Sequence, residues 1–186
     1  MELALELINS EEWYGRRPRG HLDHLQHPGW LARFLERWGF GDVAAPNPAQ
    51  LRQLLRLRAL LRRMITALAG GDTPSANDFQ ELDRFLEGRA FHRRVTQEGG
   101  AFRLELAPAR RDWAWVLSEI ASSFAELLVE GEHDRVKLCE NPECQWAFYD
   151  TTKNRRRRWC DPAECGNVFK VRQFRARRRA EQSPAR

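Results

Sequence analysis

All four cysteines of this 186-residue chain lie between positions 139 and 165, as two pairs of identical internal spacing: Cys139-x4-Cys144, fifteen residues, then Cys160-x4-Cys165. A tetrahedral zinc ion takes four thiolates at about 2.3 Å each, and two short loops facing one another across a hairpin bring them together most simply. Each pair encloses a proline in a turn-forming setting, Asn141-Pro142-Glu143 and Asp161-Pro162-Ala163, which swings two thiols towards one point. Between the pairs, Gln145 to Asp150 alternates Trp146 and Phe148 against Ala147 and Tyr149, and Arg155 to Trp159 returns to the third cysteine. The expectation is a hairpin of these two segments with one structural zinc at its base, held by Cys139, Cys144, Cys160 and Cys165.

Two disulfides, or four free buried thiols, are the competing readings, since four cysteines allow three pairings. Disulfides need an oxidising compartment. The opening Met1 to Leu7 has no basic lead before an apolar core, so no secretory signal is expected and a reducing cytoplasm is favoured. Iron-sulfur clusters also use four thiolates, but their common spacings differ from this one.

Cys165 runs directly into a basic segment in which Val168, Val171 and Phe174 recur at three-residue intervals, with Asn167 placed to cap a short amphipathic helix. From Thr151 to Arg179 the cations Lys153, Arg155, Arg156, Arg157, Arg158, Lys170, Arg172, Arg175, Arg177, Arg178 and Arg179 face only Asp161 and Glu164, a net of +9. The formal total of +5 leaves −4 for the rest, so the basic character belongs to one end of the molecule. On a strand, the run Arg155 to Arg158 points to both faces and cannot all be neutralised by packing. It calls for water or anions, and a phosphate backbone is the natural anion: arginine offers bidentate donors to phosphate and to guanine edges. A solvated tail, or one that pairs with an acidic protein, carries the same charge. The coupling of a small metal fold to a basic helix favours nucleic acid.

These residues carry a family resemblance. Cys139-x4-Cys144, Trp146, Phe148, the basic run into Cys160, and Cys165-Gly166-Asn167 before an Arg-rich helix resemble the ABATE-domain proteins that end in a CGNR-type zinc finger, a group regarded as bacterial transcription regulators. Leu5 to Ser10 and Gly15 to Arg19 are similar to the opening of the ABATE domain. The resemblance implies an N-terminal sensing or ligand-binding domain over 1–132 and a DNA-binding finger over 133–182. One position departs: Val168 stands where the name motif has arginine. A role of that arginine would here be lost, or moved to Lys170 or Arg172.

In chain order, Leu3, Leu5 and Leu7 alternate with small or polar residues, which is consistent with a half-buried strand over Met1 to Ile8, although Leu, Glu and Ala also make helices well. Asn9, Trp13, Arg16 and Arg17 follow its end and are the candidate lining of a small-molecule pocket. His21, His24 and His27 are spaced by two residues, but the third turns away from the first two on a helix and precedes Pro28, so an exposed turn is expected rather than a second metal site. Helices are predicted over Pro28 to Trp38, from Asn47-Pro48 to Gly70, from Thr73-Pro74 through Leu86, and over Arg111 to Glu130. The arginines at 52, 56, 62 and 63 are assigned to a solvated outer face. Phe91, Arg93, Val95, then Glu98-Gly99-Gly100, then Phe102, Leu104 and Leu106 read as a hairpin.

No Gly-rich phosphate loop, nucleophile elbow or spaced carboxylate pair stands out, and no apolar run is long enough to span a bilayer. An enzyme would first show itself as His92 meeting a buried carboxylate in a cleft. The fold class expected is α+β: a mainly helical N-terminal domain with a small antiparallel sheet, followed by a four-cysteine module of zinc-ribbon or treble-clef type ending in a basic helix. The function expected is zinc-containing DNA-binding transcription regulation, with an unknown ligand and homodimerisation as roles open to the larger domain. RNA binding, or docking of an acidic protein, are the rivals for the module.

Overall fold

The longest helix starts where a cap and a proline put it. In the computed structural model, which describes residues 1–12, 22–87 and 90–181, Asn47 Oδ1 accepts from the N–H groups of Ala49 and Gln50, both at 2.9 Å, and the Gln50 side chain accepts from the Asn47 N–H at 2.8 Å. With Pro48 at the first position, this capping box opens α3, Pro48–Ala69. The opposite end stops at Gly70-Gly71, where Gly71 takes φ +83°, a conformation that glycine adopts without strain. Leu54, Leu57, Leu60, Leu61, Met64 and Ile65 of α3 are wholly buried.

Against α3 pack α4, Ala76–Leu86, and α5, Trp113–Glu130, which also touch each other. Ser75 caps α4 in a second box with Asp78, and Asp112 caps α5 through the Trp115 N–H. From α5, Val116, Ile120, Phe124 and Leu127 complete the core. Helix α2, Pro28–Arg37, adds Leu31, Phe34 and Leu35.

Met1 to Ile8 is not a strand. Glu2–Ile8 forms α1, packed on α3 and α5, with Leu3, Ala4, Leu7 and Ile8 buried while Leu5 is only half-buried. Burial at 3, 4, 7 and 8 follows the helical period, and the strong helix formers Glu, Leu and Ala decide in its favour over a coincidental alternation.

Among the described residues the strands form three separate two-stranded antiparallel ladders: β1 (Glu11–Glu12) with β2 (Leu22–Asp23), β3 (Phe91–Glu98) with β4 (Ala101–Pro108), and β5 (Val136–Leu138) with β6 (Ala147–Tyr149). The β3–β4 hairpin turns at Gly99 and Gly100, both at positive φ, and is in register from Glu98 opposite Ala101 to Phe91 opposite Pro108. The third ladder pairs Val136 with Tyr149 and Leu138 with Ala147. Val136 and Ala147 belong to the same buried cluster as α3 and α5, and β5 lies on α3. The last helix, α6, covers Asn167–Glu181. Among the described residues no helix is long and apolar enough to cross a membrane.

Candidate metal centre and cationic surface

The hairpin at the metal centre differs from the expected one. The strands β5 and β6 flank the first cysteine pair, so Cys139 leaves one strand and Cys144 stands before the next, while Arg155 to Trp159 is irregular rather than a strand. The knuckle is closed by main-chain bonds from Cys139 N–H to Trp146 O and from Cys144 N–H to Asn141 O, both 2.8 Å. Gln145 turns the chain at φ +54°. Asn167 is not the cap of the following helix: Asp161 accepts from Ala163 N–H at 2.8 Å and Glu164 N–H at 3.1 Å, starting a wide turn, Pro162–Gly166, that carries Cys165 and runs into α6. Asn167 instead donates to Ala163 O at 2.7 Å. The two loops meet through Glu140 N–H and Arg158 O at 2.9 Å.

This brings all four predicted ligands together. Their sulfurs lie within 4.8 Å of one another, with Cys144 to Cys160 at 3.5 Å and Cys160 to Cys165 at 3.6 Å. A tetrahedron with arms of about 2.3 Å has edges of about 3.8 Å, so the set fits a tetrahedral thiophilic ion. All four cysteines are free thiols, not disulfides. Sulfur crowding also splits their acidities. The S–H groups of Cys144 and then Cys160, both aimed at Cys139, lower its pKa to about 2, whereas sharing with Cys139 pushes Cys144 up to about 12 and Cys160 further still. Cys139, Cys144 and Cys160 thus oppose one another's ionisation, an opposition that a cation bound between the sulfurs would relieve. Among the described residues this is the only group of three or more cysteine, histidine or acidic side chains disposed to hold a metal. Of the histidines, His24 stacks on Trp30 at 5.8 Å, His92 is exposed on β3, and His21 lies outside the described residues.

The loop after β6 is organised by a buried anion. Asp150 accepts from Lys137 Nζ at 2.6 Å, from Thr152 Oγ1 at 2.6 Å and N–H at 3.0 Å, and from Arg157 N–H at 2.9 Å. Burial pushes its carboxyl up, but the Lys137 ammonium and these donors outweigh that and hold it far below the usual carboxylate range.

Packing neutralises part of the arginine run and leaves Arg156 exposed. Arg155, at φ +52°, pairs with Glu132 and Asp134; Arg158 Nε bonds Glu140 at 2.7 Å; and Arg157 donates to Trp159 O at 2.9 Å and to Cys160 O while its guanidinium lies 4.8 Å over Phe148. Released from strand alternation, Arg155, Arg157 and Arg158 each find an acid or carbonyl. Arg172 reaches from α6 to Glu143 inside the first knuckle at 2.6 Å, and Arg178 covers Phe174 at 5.8 Å. Lys153, Arg156, Lys170, Arg175 and Arg177 are exposed and form no ion pair among the described residues. The side chain of Arg179 lies outside the described residues.

Residues given other roles from the sequence join this module to the helices. Asn9, a candidate pocket residue, spends both amide atoms on β6, donating to Ala147 O at 2.8 Å and accepting its N–H at 2.9 Å. Its companions Trp13, Arg16 and Arg17 lie outside the described residues. Arg62 is half-buried rather than on a solvated face, and its two Nη atoms donate to Gln145 O and Ile8 O at 2.8 Å each. Arg58 is buried, with Nη1 and Nη2 on the two Asp23 oxygens at 2.6 and 2.8 Å and a further bond to Ser10 Oγ at 3.0 Å. A signal for Arg58 exists in the sequence: it falls at the fourth position between Leu54 and Leu61 in the inward stripe of α3.

Two family models match the chain in the same order as these parts. Residues 1–131 match ABATE, described as a "Putative stress-induced transcription regulator", and residues 135–178 match the CGNR zinc finger. Among curated proteins none matches the chain. With ABATE covering well over half of its length, the chain belongs to the ABATE family and carries a CGNR zinc finger behind that domain.

Proposed function

We propose that this protein is a cytoplasmic, DNA-binding transcription regulator whose residues 133–182 form the DNA-binding part and whose residues 1–132 form a ligand-responsive part. One structural zinc ion, when bound by Cys139, Cys144, Cys160 and Cys165, supplies the cross-link that folds the small module. The observation that carries the reading is the division of labour among the cations. Arg155, Arg157, Arg158 and Arg172 are tied to acids or carbonyls and brace the loops, whereas Lys153, Arg156, Lys170, Arg175 and Arg177 stand exposed on the braced frame.

A brace contributes rigidity and a free cation contributes affinity. Five free cations neutralising five phosphates predict that log affinity falls with log salt at a slope of about −4 to −5. Arg172, gripping Glu143 between the first two ligands, takes over the bracing of the knuckle where Val168 replaces the motif arginine. Lys170 and the exposed outer face of α6 are left to contact the duplex. Selection of bound fragments from a random duplex pool at two salt concentrations tests this. Enrichment of a shared site, with the stated slope, supports it; a preference for structured RNA in competition, or retention that ignores salt, overturns it.

A further inference from the structure

The β3–β4 hairpin stands off the helical body. Apart from their mutual pairing, the two strands share no extensive contact with another described element, and every residue of β3 except Thr96 is exposed. An isolated two-stranded hairpin is marginal in water unless a face of it is covered. The register shows which face asks for cover. Opposed residues share a side, so Phe91, Val95, Phe102, Leu104 and Leu106 line one surface, together with Arg93, Gln97 and Pro108. The other surface is polar, with Arg94 paired to Glu105 at 3.3 Å and Thr96 bonded to Glu105 at 2.9 Å.

On the apolar side Phe102 is 74% exposed, Val95 68%, and Leu104 and Leu106 64% each. These side chains offer on the order of 500 Å² of apolar surface, at the upper end of what monomers leave bare. Among the described residues no other element covers it.

We propose that this face packs on the same face of a second copy of the chain, making a symmetric dimer. Two such faces together bury roughly 1,000 Å² from these side chains alone, the area at which specific association begins. A two-fold axis through the Val95–Leu104 pair, with the hairpins antiparallel, sets Arg93 opposite the second copy's Gln97 and Leu106 opposite its Phe102. No like charges then meet, so the surface is complementary to itself. A partner of different chemistry would need a charged or grooved counterpart that this face lacks. The dimer stands whether or not the cationic surface binds DNA.

Sedimentation equilibrium of the zinc-loaded full chain across the micromolar range tests it. The weight-average mass is expected to rise with concentration towards twice the 21.8 kDa of one chain. Val95→Thr with Leu104→Thr keeps strand-favouring residues but removes apolar area, and should raise the dimer dissociation constant at least about tenfold. Arg103→Glu, on the opposite surface, should leave it unchanged. As a reading free of variants, amide exchange in β3 and β4 of the unmodified protein should slow as concentration rises. A mass that stays at one chain throughout, an unchanged constant in the double variant, or hairpin exchange indifferent to concentration overturns the proposal.

Discussion

Arg58 holds two carboxylate oxygens of Asp23 and the hydroxyl of Ser10 inside the core, and so ties α3 to the segment after α1 and to β2. Truncating one member of a buried ion pair costs more than the pair contributes, because the other charge stays buried. Arg58→Ala should therefore lower unfolding stability by about 3–5 kcal/mol, read from urea midpoints. Replacing Arg58 with Met and Asp23 with Leu together should recover most of that loss. The five exposed cations call for the opposite test. Arg156→Ala should weaken DNA retention, flatten the log-log salt slope by about 1, and leave stability within about 0.5 kcal/mol. Arg155→Ala removes the tie to Glu132 and Asp134; it should loosen the 150–158 loop in hydrogen exchange while changing the salt slope little. A composition count cannot separate these neighbours, since their difference lies in which acid each guanidinium reaches across the fold.

At the level of elements, caps and glycines made most of the helical part legible. Asn47-Pro48 marks its helix correctly, whereas α4 is capped by Ser75 rather than started at Thr73-Pro74, and α5 by Asp112 rather than started at Arg111; in each a side-chain oxygen answers the free N–H groups of the first turn. Such signals are local, and so is the Gly99-Gly100 turn. What failed was non-local. Seven residues of Leu, Glu, Ala and Ile fit either period until α3 and α5 are present to bury positions 3, 4, 7 and 8. Similarly, Arg155 to Arg158 reads as a strand until β5 has taken the place beside β6. The α4 box offers a pH test. The Ser75 hydroxyl, and behind it Arg63, hold the Asp78 carboxyl below the usual carboxylate range. A depressed acid stabilises the fold above its unfolded pKa of about 4 and loses that effect as pH falls through the folded value. Asp78→Asn should thus cost about 1 kcal/mol at pH 7. The gap in denaturant midpoint between it and the parent should narrow steadily below about pH 4.

For the molecule as a whole, the four-cysteine centre is the point on which the basic end turns. Metal analysis should return one zinc per chain, and a strong chelator should unfold 133–182, where ion binding and folding free energy are one quantity. The loss should travel. Val136 and Ala147 share the buried cluster with α3 and α5, and Asn9 and Arg62 reach across to the knuckle. Chelation should therefore also speed amide exchange at the end of α1, at Ile8 and Asn9, while the middle of α3 stays protected. Uniform exchange in α1 with and without metal would show that the two parts fold independently.

Asn9 and Arg62 take hold of the knuckle only by peptide atoms, at Ala147 and Gln145. Such a grip is blind to the side chains it meets. Fingers of related but divergent sequence should therefore seat on this helical body as interchangeable heads, provided the positions of Val136 and Ala147 stay apolar and of like size and a residue tolerant of left-handed backbone follows the second cysteine. The body, by contrast, has no such freedom at its two gripping positions.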